Sequence, residues 1–106
     1  MSIVITVYLS NNSKEVIDRT SIAKISDEMV AARDDIVRAE ISEGVKEIEE
    51  YAFEKCINLE EVICPKSLKK IAHGAFSGCV KLAKVEYGSD VEVDEGAFSG
   101  CLSYKG

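Results

Sequence analysis

Three stretches of this chain carry nearly the same text. Ile48, Ala52, Phe53 and Cys56 recur as Ile71, Ala75, Phe76 and Cys79, and again as Val93, Ala97, Phe98 and Cys101. The two phenylalanine intervals are 23 and 22 residues. A fixed period in the twenties marks a solenoid, in which each unit buries its apolar face only against its neighbours. This constrains the fold more than local propensity does. It also moves the functional question from chemistry to surfaces.

The period reaches beyond the obvious copies. Leu59, Val62 and Cys64 match Leu82, Val85 and Tyr87, and Val45 matches Leu68 and Val91. One residue is lost between Val91 and Val93. Stepping back one period takes Val45 to Ile22, Ile48 to Ile25 and Leu59 to Ile36. The apolar character survives there while the Ala-Phe and Cys letters do not. The expected organisation of this single 1–106 domain is an N-terminal cap (1–21), a degenerate repeat (22–44), full repeats (45–67 and 68–90) and a truncated repeat (91–106).

Within a unit, Leu59 to Cys64 reads as a strand ended by Pro65, which cannot donate to a ladder. Val62 and Cys64 point inward, with Glu61 and Ile63 outward. Ser67 to Ile71 is a second short extended piece. Gly74 to Cys79 is too short for an independent helix and predicts a single helical turn docked by Phe76 and stopped near Gly78. At the N-terminus, alternation from Ile3 to Leu9, a turn at Ser10 to Ser13 and a return through Glu15 to Ile17 predict a β-hairpin. Thr20 or Ser21 caps an expected helix over about residues 22–33. This hairpin and helix would cap one end of the stack and cover a sheet edge.

The net charge is −6 and no Lys/Arg cluster forms a phosphate-binding stripe, so direct nucleic-acid binding is not expected. No apolar run approaches the roughly 20 residues a membrane span needs. The start reads as a strand and not as a secretory signal, which implies a cytoplasmic protein if the sequence is full length. At the other end Tyr104 stands where Leu82 stands one unit earlier, and no following strand is left. Two readings stay open: a longer protein cut here, or a homodimer in which a second copy covers the open end.

The letters resemble the BspA-like leucine-rich repeat family, whose units run Leu-x-x-Ile-x-Leu-Pro, then a Leu-x-x-Ile piece, then Ala-Phe-x-x-Cys. Leu59, Val62, Cys64, Pro65, Leu68, Ile71, Ala75, Phe76 and Cys79 occupy those positions. Cys64 and Tyr87 depart from the usual Leu, and Gly88 from the usual Pro. The resemblance implies an α+β solenoid, a right-handed leucine-rich-repeat superhelix of short parallel strands and single-turn helices. It also implies protein binding, adhesion and, for many members, a cell-surface location.

Candidate chemistry is sparse. Cys56, Cys79 and Cys101 share one repeat position, and no C-x-x-C pair exists to suggest zinc or thioredoxin-type redox work. Equivalent positions on adjacent coils allow a disulfide geometrically, but buried free thiols are the stronger reading. His73 is matched by Glu50 and Glu95, so it reads as exposed and variable. A nucleophilic Cys would need an accessible electropositive setting. The acidic residues around Glu47 to Glu61 lack the spacing of a calcium loop. No catalytic residue, metal site or cofactor is expected.

What remains is the outward strand face: Arg38 and Glu40, Glu61 and Ile63, Lys84 and Glu86. The expected function is non-catalytic binding of a protein partner through these residues. Two alternatives stand beside it. One is a small acidic inhibitor of a basic, nucleic-acid-binding protein. The other is a self-associating structural protein.

Overall fold

The computed structural model describes residues 3–18, 24–25, 30 and 33–104. Strand formation follows the apolar alternation. The N-terminal hairpin comprises β1 (Ile3–Leu9) and β2 (Lys14–Asp18). Its turn is closed by Leu9 N–H on Ser13 O at 2.9 Å, with Asn12 in the left-handed region at φ 69°. The repeat supplies β3 (Lys24–Ile25), β4 (Ile36–Ile41), β5 (Glu47–Ile48), β6 (Glu61–Ile63), β7 (Lys70–Ile71), β8 (Lys84–Glu86) and β9 (Glu92–Val93).

These strands build two sheets. One is five-stranded in the order β2-β1-β4-β6-β8, the other four-stranded in the order β3-β5-β7-β9. The repeat strands pair in parallel at the sequence period: Arg38 with Glu61 with Lys84, and Ile25 with Ile48 with Ile71. The final step, Ile71 to Val93, is one residue shorter. The hairpin joins the first sheet through an antiparallel β1–β4 pairing and so covers the open edge of β4.

The core is a set of columns running through the stack. Phe53 and Phe76 are fully buried and stack at 5.1 Å between centroids, followed by Phe98 at 5.4 Å and Tyr104 at 4.4 Å. Each aromatic pair adds about 0.5–1.5 kcal/mol beyond its area burial. Ile48 and Ile71, Leu59 and Leu82, and Ala52 and Ala75 form parallel columns with no exposed surface.

Two expectations are corrected. The single-turn helices are absent among the described residues, and with them the α part of the expected α+β class. In place of a helix, alternate backbone groups serve two directions. Ala52 and Cys56 N–H close i→i+3 turns onto Glu49 and Phe53. Tyr51, Phe53 and Lys55 N–H instead donate to His73, Ala75 and Ser77 carbonyls of the next coil. Left-handed φ values at 51 and 55, 74 and 78, and 96 and 100 turn these peptides outward. A helix would keep every N–H within the segment, so the stack gains a third hydrogen-bonded ladder at the helix's expense.

The second correction concerns the cap helix over 22–33. Lys24–Ile25 is a strand, held there by its parallel partner β5. Thr20, Ser21 and most of the rest of that segment lie outside the described residues.

Candidate interaction face

Parallel pairing at the sequence period places six outward residues in two rows. One row is Arg38, Glu61, Lys84, and the other is Glu40, Ile63, Glu86. The first alternates in charge across three strands, the arrangement in which directly facing side chains attract. Glu61 lies 3.4 Å from Arg38 Nε and 3.5 Å from Lys84 Nζ. Along the strands, Arg38 meets Glu40 at 2.7 Å and Lys84 meets Glu86 at 3.1 Å. Glu86 and Glu61 together hold the Lys84 ammonium above its usual range.

The hairpin extends this face. Tyr8 faces Arg38 and Lys14, while Thr6 faces Glu40 and Val16. Tyr8 Oη donates to Glu40 Oε1 at 2.9 Å, and that bond, with a smaller contribution from burial, keeps the phenol above its ordinary value. The Arg38 guanidinium lies over the Tyr8 ring, 5.1 Å from its centroid, a cation–π contact. Sequence reasoning missed Thr6, Tyr8, Lys14 and Val16. Their alternation marks strands, but nothing in the period says which strand they pair with.

Two cations against three carboxylates leave the six-residue face nearly neutral, and Lys14 cancels the remainder. The molecule's negative charge therefore sits elsewhere. On the second sheet Glu47, Glu49, Glu50 and Asp94 line a depression of about 360 Å³ around Lys70 and Ala72. Lys70 pairs with Asp94 at 3.6 Å. Among the described residues no three His, Cys, Asp or Glu side chains gather as a metal ion requires.

The other candidates are used in packing. All four cysteines are free thiols. Cys79 Sγ donates to Phe53 O at 3.1 Å and Cys101 Sγ to Phe76 O at 3.0 Å. Hydrogen bonding with Cys56 and then burial push the Cys79 thiol up, and burial does the same to Cys101. Cys64 is half-buried against the core, and burial, with a smaller push from Glu86, raises it to about 12. These shifts oppose nucleophile formation at Cys64, Cys79 and Cys101, whereas the hydrogen bond with Cys79 lowers the fully buried Cys56 thiol. His73 is exposed, edge-on to Tyr51 at 5.7 Å, with Nδ1 2.6 Å from Glu95 O. No helix is long and apolar enough to cross a membrane among the described residues.

No curated protein and no solved structure matches the chain. The sequence profile of the BspA type leucine-rich repeat region does, in six copies over residues 6–105. That span takes in most of the hairpin as well as every coil. With the register of its strands and the Phe and Cys columns, it shows that the chain belongs to the BspA-type leucine-rich repeat family.

Proposed function

We propose that this protein is a non-catalytic binding module whose five-stranded face docks a protein partner. Its family generally mediates protein–protein interaction. The binding residues are Arg38, Glu40, Glu61, Ile63, Lys84 and Glu86, flanked by Tyr8, Lys14 and Val16. The observation that carries this reading is Ile63, an apolar side chain set between Glu40 and Glu86 on a sheet whose charges are already paired. A partner that places an apolar side chain over Ile63 buries area at little desolvation cost, and its flanking cations meet two carboxylates.

The coils wind right-handedly in this reading, as right-twisted strands returning in parallel do. The same reading takes the unit boundaries near 44, 67 and 90. Four free thiols suit a reducing compartment such as the cytoplasm, while the family's frequent surface exposure favours the alternative, the cell surface. Partner affinity tests the face: Glu40→Lys with Glu86→Lys weakens binding, and unchanged affinity refutes the assignment.

A second reading, an acidic inhibitor of a basic protein, draws on the carboxylates around Lys70. It predicts partner binding that falls steeply with salt.

A further inference from the structure

The hairpin strand β2 is bonded along one side. Among the described residues it pairs with β1 and with no other strand. Since β1 lies between β2 and β4, the turn at Ser10 to Ser13 sets which side of β2 faces out.

Backbone direction along β2 follows from the bonds of β1. Leu9 N–H donates to Ser13 O of the hairpin. Ser10 N–H turns the other way to Asp35 O, and Val4 O accepts from Ser42 N–H. Backbone groups alternate in direction along a strand. With Val7 opposite Glu15 and Ile5 opposite Ile17, residues 13, 15 and 17 bond to β1. The N–H and C=O of Lys14 and Val16 therefore point to the outer side. Val16 stands at the middle of that edge and is 44% exposed.

The edge reads Lys-Glu-Val-Ile-Asp. In an antiparallel pairing about Val16, two copies exchange both Val16 bonds, and Lys14 of each stands opposite Asp18 of the other. The strand is its own electrostatic complement under a two-fold axis. Centring the pairing on Glu15 instead would set that carboxylate against its own copy, which fixes the register. Proline and rows of like charge protect sheet edges from pairing. β2 has no proline, and its two end residues are of opposite charge.

We infer that two copies of this chain associate through antiparallel β2–β2 pairing centred on Val16, joining two five-stranded sheets into one of ten. The two-fold axis stands perpendicular to the sheet, so both Ile63 faces lie on one side. The competing apolar surface is the turn ridge of Ile57 and Val80, 43% and 39% exposed.

Light scattering over a concentration series tests the inference. The readout is mass and needs no partner protein, so its outcome is separate from that of the Ile63 face. The expected mass approaches twice 11.6 kDa as concentration rises. Val16→Pro removes a single edge-facing N–H, spares the β1 bonds, and is expected to give the monomer mass with an unchanged circular dichroism spectrum. Ile57→Lys leaves the dimer intact. If Val16→Pro unfolds, Lys14→Glu decides: the dimer weakens by about tenfold or more, and adding Asp18→Lys restores it. A monomer at every concentration, a dimer that survives Val16→Pro, one indifferent to Lys14→Glu or not restored by Asp18→Lys, or one lost in Ile57→Lys would overturn the inference.

Discussion

The thiol of Cys79 donates to the carbonyl oxygen of Phe53, 26 residues earlier, at 3.1 Å. Cys101 repeats the bond on Phe76 at 3.0 Å. The cysteine of each Ala-Phe-x-x-Cys therefore fills a small apolar space and also serves a buried carbonyl of the coil before it. Cys79→Ala leaves a cavity and removes that donor, so it should cost about 1–2 kcal/mol by urea denaturation. Cys101→Ala, at the partly exposed last coil, should cost less. Native protein should resist alkylation at Cys56 and Cys79, whereas unfolded, unreduced protein should label at all four cysteines.

Lys55 has a φ of 60°, where the next two coils place Gly78 and Gly100. The left-handed region costs a side-chain-bearing residue about 1–2 kcal/mol, part of which Gly loses again to unfolded-chain entropy. Lys55→Gly is expected to stabilise by about 0.5–1 kcal/mol. Gly74→Ala should destabilise by more than Gly78→Ala, because its Cβ would run into the Tyr51 ring, whereas at Gly78 the nearest atom is 3.5 Å away. Melting temperatures of the three variants check the ranking.

Folding should become labile in alkali. Burial, then Glu86, raises the Cys64 thiol from 9.0 to about 12, and burial, then Tyr87, raises the Tyr104 phenol from 10.0 to about 12. Between those limits the folded chain holds protons that the unfolded chain releases. Their stabilising contribution is complete below about pH 9 and is lost as pH rises toward 12. Urea midpoints should fall across that window, and less so in Cys64→Ala.

Glu61 is the shared partner of Arg38 and Lys84. Glu61→Lys sets three cations side by side across the sheet. The three side chains are partly exposed, so the cost is screened and should be about 1 kcal/mol or less at low salt. Added salt should recover most of it, as denaturation at two ionic strengths would show.

Much of this architecture was legible because side-chain period and strand register are one quantity in a stack. The match of Ile25 to Ile48, inferred from spacing, is a backbone pairing. So are the two rows that gather Arg38, Glu61 and Lys84, and Glu40, Ile63 and Glu86. The helical turns were misread because Gly78 suggests where a turn begun at Gly74 stops. Their positive φ instead sends alternate N–H groups to the next coil, a choice that depends on a neighbour 23 residues away. Tyr8 and Lys14 were missed at the face for a similar reason. Nothing local to a hairpin identifies the strand it joins.

The central claim is that the Ile63 face binds a protein. Ile63→Arg tests it with little effect on the fold, since the new cation stands between Glu40 and Glu86. With a partner captured from the native cell, titration calorimetry should show affinity reduced by about tenfold or more for Ile63→Arg. Glu47→Lys on the opposite sheet should leave it unchanged. Full affinity in Ile63→Arg, with loss in Glu47→Lys, would contradict the account and move the binding surface to the acidic sheet.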